Sequence, residues 1–508
     1  MSTTRIDEVI LNNTLLPEKE GQIMAPPNVI YVLSDEHSGF AMSHMGDPNV
    51  CTPHMDRLAS EGVSFRTAYA NTPICTPSRG TIFSGRHAHA GPVQNFFDVY
   101  KPSSPSTATL LRSAGYHTAY FGKWHMGVIR DQISPAVRRN PDLYPEPDYF
   151  RRTPEHHRGG FQDWFAFELN DEYFNFNYYH AHEIDPRHEV GYQTDLLTEH
   201  LLTYLGEYNR AEPLFAVLSL EAPHFPLEVP EAYLRFDPTT LITRPNFVED
   251  TSRLAIDPGG CVSYSMRERL ARYYAMLENL DWNLGRLLDG LKHMARFRTN
   301  TLIVYFSDHG EYMGSHGLFE RKEHPHQEAV RIPVIFHLPG RIPSQGLRGS
   351  LFSLVDLLPT TLGLLNLPIP TYVQGQDFSP ACLGQEFAGP DSVLLEMNSN
   401  PRWALDFVDW RGLVTEHWKY VFYETGHELL FDLQADPYEM ENLAQKDPTE
   451  CAHMRSWLLR VLEETREPYF HILIEHGVKP DGPVINVSNR WRDGISPAWK
   501  DLIGNIGE

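Results

Sequence analysis

Three short apolar runs, each ending in titratable residues, constrain the fold of this chain more than any other feature. The runs at 28–34, 213–220 and 300–307 are rich in β-branched and aromatic residues, which is typical of strands buried in a parallel sheet. Helical patterns at 195–205 and 267–294 lie between them. Strands that alternate with helices predict an α/β fold: a large mixed, mostly parallel sheet sandwiched by helices.

The residues that follow these runs are the first candidates for function. They are Asp35-Glu36-His37, Glu221-Ala-Pro-His224 and Asp308-His309-Gly310. In open α/β sheets, ligands bind outside the carboxyl ends of the strands. The sequence therefore predicts one site that is assembled from distant segments of the chain.

The rest of the chain suggests two domains with an extension and an insertion. Residues 1–27 are an N-terminal extension, 28–370 form the catalytic domain, and 371–508 form a smaller C-terminal α+β domain with a tail. Within the catalytic domain, 130–190 is rich in Pro, Arg, Tyr, His and Asn and is interpreted as a substrate-selecting insertion. Short antiparallel strands at 418–423 and 428–432, and a helix at 449–466, are expected in the C-terminal domain.

Aromatic residues of the predicted insertion admit two interpretations. They are Trp164, Tyr173, Phe174, Phe176, Tyr178 and Tyr179. They can form an apolar pocket wall around the substrate, or they can belong to the core, which is the more common location of aromatic clusters. The sequence leaves both open.

The net charge limits the classes of partner that we expect, and the cysteine content indicates the cellular compartment. The 508 residues carry 43 Lys and Arg against 66 Asp and Glu, a formal charge of −23. Such an acidic chain repels nucleic acid and anionic membrane surfaces, so we expect neither as a partner. Five scattered cysteines and an N-terminus without an apolar leader predict a cytoplasmic protein.

The segment around Cys75 combines a thiol with a predicted helix start. Pro77 suits the first turn of a helix, so Cys75 should stand just before the helix N-terminus, where the dipole favours an anion. Arg79 adds a positive charge one turn later. The alternative is a buried structural cysteine, but positive surroundings favour a functional one.

Two of the strand ends offer a set of metal ligands. Asp35, Glu36, Asp308 and His309 supply oxygen atoms and one nitrogen, as hard divalent cations require. An Asp-His pair after a strand can also be a simple turn. Acidic strand ends that meet on one sheet edge repel each other unless a cation lies between them, so the metal interpretation is favoured.

Several motifs together resemble those of the sulfatase family. Cys75-Thr-Pro-Ser-Arg79 resembles the sulfatase signature, in which the cysteine is oxidised to formylglycine. Further elements follow in the family's order: Gly122-Lys-Trp-His-Met-Gly127, Ala222-Pro-His224, Ser307-Asp-His-Gly310, Lys322, and the C-terminal stretch 430–439. The resemblance spans residues 28 to about 445, and it implies the fold of the alkaline phosphatase superfamily.

The resemblance also implies roles for individual residues. Formylglycine at position 75 is the nucleophile once hydrated, and it completes a metal site with Asp35, Asp308 and His309. Glu36 is a less certain ligand, because many sulfatases have Asp there. Calcium is the family's usual ion, although the nitrogen of His309 leaves magnesium or manganese open.

The remaining implied roles concern the substrate. Lys123 and Lys322 hold the sulfate oxygens, His125 contacts the formylglycine hydrate, and His224 faces the leaving-group oxygen. Arg79 belongs to the same catalytic set. Asn95 resembles a polar contact of phosphonate monoester hydrolases, although an ordinary loop amide is an equal alternative.

The sequence thus predicts hydrolysis of small-molecule sulfate monoesters, as in arylsulfatases. The predicted partner during maturation is a formylglycine-generating enzyme, and a homo-oligomer is left open. The alternative is a phosphonate monoester hydrolase or phosphodiesterase on the same scaffold. A binding protein without catalysis is disfavoured, because every catalytic position is filled.

Overall fold

The computed structural model describes residues 25–96, 98–127, 152–249, 264–319, 322–398 and 408–475. Most of the predicted N-terminal extension, the first part of the predicted insertion and the C-terminal tail lie outside these residues. Among the helices that the structure describes, none has both the length and the hydropathy of a membrane span.

Eleven strands of the described residues form one large sheet. They are β1 (Asn28–Ser34), β2 (Val63–Tyr69), β3 (His117–Lys123), β4 (Asp163–Phe167), β5 (Asn175–His180), β6 (Arg187–Val190), β7 (Leu214–Ser219), β8 (Thr301–Ser307), β9 (Arg331–Ile332), β10 (Val334–His337) and β11 (Gly346–Ser353). Their order is β11-β2-β10-β8-β1-β7-β3-β4-β5-β6, with β9 paired to β2. The central strands β8, β1, β7, β3 and β4 are parallel, whereas β10, β5 and β6 pair antiparallel with their neighbours. The predicted mixed, mostly parallel sheet is confirmed.

Helices cover both faces of this sheet. They are α1 (Pro53–Glu61), α2 (Cys75–Ser84), α3 (Thr107–Ser113), α4 (Gln193–Glu207), α5 (Met266–His293), α6 (Gln327–Val330), α7 (Leu357–Leu364) and α8 (Ser379–Cys382). Alternate side chains of β1 enter opposite cores: Ile30 and Val32 pack on the side of α4 and α5, and Val29, Tyr31 and Leu33 on the side of α2 and α7. This alternation follows from the two-residue period of a strand.

The longest of these helices begins at a well-formed cap. The Ser265 hydroxyl accepts a hydrogen bond from the Glu268 amide at 3.3 Å, and the Ser265 amide donates to the Glu268 carboxylate at 2.7 Å. Such a reciprocal pair satisfies N–H groups that have no partner within the helix. The start of α5 is therefore defined locally.

A second, smaller sheet follows in the C-terminal part of the chain. Its antiparallel strands are β12 (Val393–Met397), β13 (Trp410–Val414), β14 (Trp418–Tyr423) and β15 (Glu428–Asp432), and the helices α9 (Pro448–Glu464) and α10 (Tyr469–Glu475) follow. One face packs against α9, and the other packs against the large domain around Tyr69 and Ile74. Phe378 and Cys382, beyond the predicted boundary at 370, still belong to the core of the large sheet.

The described part of the predicted insertion is partly integral to the large sheet. Strand β4 pairs in parallel with β3. Trp164, Tyr173, Phe176 and Tyr178 are 0–2% exposed and Tyr179 is 8% exposed, so the core interpretation is confirmed for these five residues. Phe174 is the exception, because its side chain is 38% exposed.

Candidate functional site

The carboxyl ends of four parallel strands bring the predicted residues to one edge of the large sheet. β1 and β8 are neighbours with Ser34 opposite Ser307, so Asp35 and Asp308 leave the sheet side by side. β7 pairs with the other side of β1, and β3 pairs with β7. The distant segments therefore meet as the sequence predicted.

Helix α2 points its N-terminal end at these strand ends. The helix begins at Cys75 itself, and Ile74 before it is extended, with φ −141° and ψ 135°. The sequence had placed Cys75 just outside the helix. Ile74 packs against the small sheet, so the C-terminal domain supports the start of α2.

The thiol of Cys75 is not activated by its surroundings. Its side chain is 1% exposed, and burial, followed by the charge of Asp35, raises its pKa well above the usual value. The expectation that the helix start and Arg79 favour the anion is therefore wrong for the unmodified cysteine. Low polarity and the neighbouring carboxylates outweigh the charges of Lys123 and Arg79.

Arg79 connects the strand ends to one another. Its guanidinium donates to Asp308 Oδ2 at 2.9 Å, to Asp35 Oδ2 at 3.2 Å, to the Ser219 hydroxyl at 2.9 Å and to the Lys123 carbonyl at 2.8 Å. The side chain is fully buried. Arg79 thus fixes the carboxylates in place, and its donors are engaged within the protein.

Four side chains converge as potential ligands of one metal ion. In this group of Asp35, Cys75, Asp308 and His309, the ligand atoms all lie within 4.8 Å of one another. His309 Nε2 is 3.1 Å from Cys75 Sγ and 3.7 Å from Asp35 Oδ1. We call these residues, together with Arg79, the strand-end cluster.

Two observations show that this cluster fits a cation. The Nδ1–H group of His309 donates to the Gly310 carbonyl at 2.9 Å, which directs the lone pair of Nε2 into the cluster. Asp35 Oδ1 is buried and has no hydrogen-bond donor among the described residues. Burial and the charge of Asp35 raise the pKa of Asp308, as expected for carboxyl groups crowded together.

Glu36 turns away from Cys75. Its backbone is left-handed, with φ 67°, which is strained for a residue other than glycine. Its carboxylate forms an ion pair with Lys322 and lies 3.3 Å from His224 Nε2. Glu36 thus shares a second group of potential ligands with Asp35 and His224, separate from the Cys75 group.

Lys123 is held between two carboxylates. Its Nζ lies 2.6 Å from Asp35 Oδ2 and 3.6 Å from Glu221 Oε1. The preceding Gly122 has φ +96°, and a Cβ atom there would come within 2.0 Å of the Ser219 carbonyl oxygen. Only glycine therefore permits β3 to approach β7 closely enough to present Lys123 at this point.

Both predicted histidines lie in the site and are neutral near pH 7. Burial, followed by the charge of Lys123, lowers the pKa of His125 well below the usual value and that of His224 to about 3. His125 Nδ1 is buried without a hydrogen-bond partner among the described residues. His224 Nδ1–H donates to the Phe225 carbonyl at 2.5 Å, which leaves Nε2 free to face Glu36.

Lys322 enters the site from the segment before α6. The Trp410 indole donates to the Glu323 carbonyl at 2.8 Å, and Lys419 donates to the Pro325 carbonyl at 2.6 Å, so the small domain anchors this segment. Burial lowers the pKa of Lys322 to about 8. Its ammonium group is therefore still mostly protonated at pH 7.

Among the described residues, Asn95 lies beside the site and, unlike Lys322, is not paired with one of its charged side chains. Its backbone N–H donates to Asp98 Oδ2 at 3.0 Å. Its neighbour Phe96 contacts the His125 ring edge-to-face, with centroids 5.3 Å apart. Asn95 is thus adjacent to a residue that contacts His125, and its own hydrogen bond to Asp98 is typical of a turn.

Two acidic residues of the site received no role from sequence reasoning, although Glu221 is among the candidates that follow the second apolar run. Glu221 accepts hydrogen bonds from the Asn170 amide at 3.1 Å and from Gln193 Nε2 at 3.0 Å, and it faces Lys123. Asp171 Oδ1 lies 3.6 Å from His224 Nδ1. Glu221 follows a strand directly, the signal that identified Asp35 and Asp308, whereas Asp171 carries no local signal.

The arrangement defines a class of enzyme before any relative is considered. Several kinds of group surround one buried point: a residue at a helix start, a cluster of potential metal ligands, two lysines and two neutral histidines. Such a set can bind a tetrahedral anion, stabilise charge on its oxygens and exchange protons. This is the chemistry of an esterase that acts on a tetrahedral ester.

Comparison with known proteins specifies the family. Residues 27–367 match the Sulfatase family model, and residues 314–467 match the model of the N-sulphoglucosamine sulphohydrolase C-terminal region. The chain is 32% identical over 428 residues to an ulvan-active sulfatase of Formosa agariphila, covering 83% of this chain and 77% of that protein. The chain therefore belongs to the sulfatase family and is a sulfuric ester hydrolase.

Solved structures share the fold. The candidate sulfatase yidJ of Bacteroides fragilis aligns with a TM-score of 0.77 at 24% identity, covering 90% of this chain and 99% of that one. A phosphonate monoester hydrolase of Agrobacterium radiobacter aligns with a TM-score of 0.65 at 22% identity, covering 87% and 95%. At these identities the alignments establish a common architecture.

Proposed function

We propose that this protein hydrolyses sulfate monoesters through a formylglycine hydrate at position 75 and a bound divalent metal ion. The observation that carries the proposal is the position of Cys75. It lies at the start of α2, with Sγ 3.1 Å from His309 Nε2, beside a buried Asp35 oxygen that has no donor among the described residues. A modified side chain at this point reaches the ligand cluster.

The proposed metal ligands are Asp35, Asp308, His309 and residue 75. When bound there, a divalent ion supplies positive charge that favours a deprotonated hydroxyl of residue 75 and offsets charge on the sulfate. Calcium is the proposed ion, with magnesium and manganese as alternatives, because oxygen ligands predominate. The ion pair of Glu36 with Lys322 makes Glu36 the least certain ligand.

The residues around position 75 divide the work of the reaction. One hydroxyl of the hydrate attacks sulfur, forming a new S–O bond while the S–O bond to the alcohol breaks. Lys123 and Lys322 hold the non-bridging oxygens. His125 then accepts the proton of the second hydroxyl, the C–O bond to sulfate breaks, and the aldehyde is restored. The lowered pKa of His125 leaves its imidazole neutral, with a lone pair available to take this proton.

His224 is the proposed donor to the leaving oxygen. Its pKa of about 3 in the free protein means that it must gain a proton when substrate is present. An anionic sulfate ester beside the ring acts in that direction, because a nearby negative charge raises the pKa of an imidazole. The carboxylate of Glu36, 3.3 Å from Nε2, lies on the same side.

The test combines a mass measurement with an assay. Conversion of Cys75 by a formylglycine-generating enzyme, the proposed maturation partner, lowers the mass of its peptide by about 18 Da, as expected when an aldehyde replaces a thiol. We expect converted, calcium-loaded protein to turn over 4-nitrophenyl sulfate repeatedly. Converted, metal-loaded protein that hydrolyses no sulfate ester contradicts the proposal.

The alternative activity is hydrolysis of phosphonate monoesters. The shared architecture with the Agrobacterium radiobacter enzyme favours it, since phosphorus and sulfur esters have similar shapes. The ratio of kcat/KM for 4-nitrophenyl sulfate and 4-nitrophenyl phenylphosphonate separates the two activities. We expect the sulfate to be preferred, and a preference for the phosphonate would reverse the assignment.

A further inference from the structure

The segment between β4 and β5 brings an unpaired acceptor next to His224. Asp171 Oδ1 lies 3.6 Å from His224 Nδ1, but that nitrogen already donates to the Phe225 carbonyl at 2.5 Å. Asp171 Oδ1 is buried and has no hydrogen-bond donor among the described residues. An acceptor buried in this way is costly, so a ligand that donates to it gains affinity.

The backbone holds Asp171 in this position against its own preference. Its φ is 50°, the left-handed region, which persists only where surrounding contacts enforce it. Those contacts flank it: the Asn170 amide donates to Glu221 at 3.1 Å, Asn170 Nδ2 donates to the Asn177 carbonyl at 2.8 Å, and the Tyr173 hydroxyl donates to the His224 carbonyl at 2.6 Å. The segment is thus fastened to Glu221 and Asn177 before Asp171 and to His224 after it.

The rest of the Asp171 side chain is partly exposed. Asp171 is 32% exposed although Oδ1 faces inward. Of the aromatic residues nearby, Tyr173 and Phe176 are directed into the core, whereas Phe174 is 38% exposed. A leaving group that arrives at His224 therefore meets a carboxyl group.

We infer that Asp171 is a specificity residue that accepts a hydrogen bond from a vicinal hydroxyl group of the leaving alcohol, on the carbon adjacent to the one that bears the ester oxygen. The inference rests on the proposed function, in which His224 faces the ester oxygen. A vicinal hydroxyl is the nearest donor that such an alcohol can carry. The site should therefore prefer hydroxylated alkyl sulfates over plain ones, because a substrate without the hydroxyl leaves the buried acceptor unpaired.

The experiment compares substrates that differ by one hydroxyl group. The probes are cyclohexyl sulfate, the separate stereoisomers of 2-hydroxycyclohexyl sulfate, and 4-nitrophenyl sulfate. For wild type, we expect kcat/KM for at least one hydroxylated stereoisomer to exceed that for cyclohexyl sulfate by about tenfold, the usual scale of one hydrogen bond. The ratio is measured within each variant, so losses of folded protein cancel.

Two substitutions at Asp171 separate the acceptor from the backbone. Asp171→Gly tolerates the positive φ but removes the acceptor, so the ratio should fall to about one. Asp171→Asn also tolerates this conformation and keeps an oxygen, so the ratio should be largely retained. Glu172→Gln, at the adjacent exposed residue, is the matched control and should keep the wild-type ratio.

The outcomes distinguish this inference from the proposed function. Wild type that hydrolyses 4-nitrophenyl sulfate but shows a ratio of one for every stereoisomer overturns the role of Asp171 alone. A ratio that survives in Asp171→Gly overturns it as well. Converted, metal-loaded wild type that hydrolyses none of the probes overturns the proposed function and this inference together.

Discussion

The protein contains two buried groups of charged residues, and they differ in how far hydrogen bonds within the protein satisfy their carboxylates. The strand-end cluster lies at the edge of the large sheet. The interdomain cluster, formed by His89, Glu396, Arg411 and Glu467, joins the segment after α2 to the small domain. In the interdomain cluster the carboxylates are satisfied: Glu396 accepts from the Ala88 amide at 2.5 Å and from His89 Nδ1 at 2.7 Å.

The strand-end cluster leaves atoms without partners. Asp35 Oδ1 and the nearby His125 Nδ1 and Glu36 Oε2 are buried and lack hydrogen-bond partners among the described residues. Leaving a buried carboxylate oxygen unpaired costs free energy, and the Glu396 carboxylate avoids this cost through its hydrogen bonds. The comparison teaches that burial and charge do not mark the site by themselves; the two clusters differ in that Glu396 is paired whereas Asp35 Oδ1 is not.

The largest effect should come from removing the nucleophile. Cys75→Ala should lower kcat by about 10⁶-fold, the size found when a hydrolase loses its nucleophile, while folding is kept. Cys382→Ala is the control, because Cys382 is also fully buried but lies in the core of the large sheet. It should cost about 1 kcal/mol of stability and leave turnover per folded molecule unchanged. Full multiple turnover by Cys75→Ala would contradict the assignment.

The next largest effect should separate proton donation from charge stabilisation within the site. His224→Ala should cost little for 4-nitrophenyl sulfate, whose phenolate leaves readily, and about 10²- to 10⁴-fold for alkyl sulfates. Lys322→Ala should harm both, since it acts on oxygens that both substrates share. The measurement is kcat/KM across aryl sulfates of rising phenol pKa. Lines of equal slope for wild type and His224→Ala would assign the donor to another residue.

The third prediction replaces one carboxylate in each cluster by the corresponding amide. Asp308→Asn removes a proposed ligand and should weaken metal binding by at least about tenfold, since even outer-sphere changes reach that size. Glu396→Gln, at an equally buried carboxylate, should lower stability but leave metal content unchanged, because the Glu396 oxygens already accept hydrogen bonds although His89, Glu396 and Glu467 lie as close together as metal ligands. Calorimetric titration with calcium and elemental analysis check both variants. Equal loss of metal in the two variants would contradict the assignment of the metal to the strand-end cluster.

The predictable part of the structure is the part encoded by local patterns. The apolar runs ending at Ser34, Leu220 and Ser307 identified the strands, and the parallel fold placed their ends together. The helix start at Cys75 was misplaced by one position, because Pro77 fits several positions of a first turn.

Tertiary environment accounts for what sequence reasoning missed. The raised pKa of Cys75 depends on burial, which no motif reveals. The pairing of Glu36 with Lys322 depends on a segment that the small domain anchors. Asp171 reaches His224 only because β4 and β5 belong to the large sheet, whereas the sequence suggested a separate insertion.

The smallest effect concerns how the interdomain cluster responds to pH. Burial opposes the charge of Glu396, but the hydrogen bond and charge of His89 lower its pKa from 4.5 to about 2. Burial likewise opposes the charge of His89, whose pKa is nevertheless raised by Glu396. His87, Arg411 and Glu467 are the other charged or titratable groups that act on the pair.

The signs of these shifts define a window of stability. A lowered carboxyl pKa stabilises the fold above pH 4.5, and this contribution is lost as pH falls towards 2. A raised histidine pKa stabilises the fold below pH 6.5, and this contribution is lost as pH rises through the folded value. The pair should therefore contribute most between pH 4.5 and 6.5.

His89→Gln should lower the free energy of unfolding by about 2 kcal/mol within that window, the usual size for a hydrogen bond to a charged group, and by less above it. Denaturant unfolding of both proteins from pH 3 to pH 9 measures the difference, and a difference that is constant across the range would mean that His89 contributes as a neutral hydrogen-bond partner only.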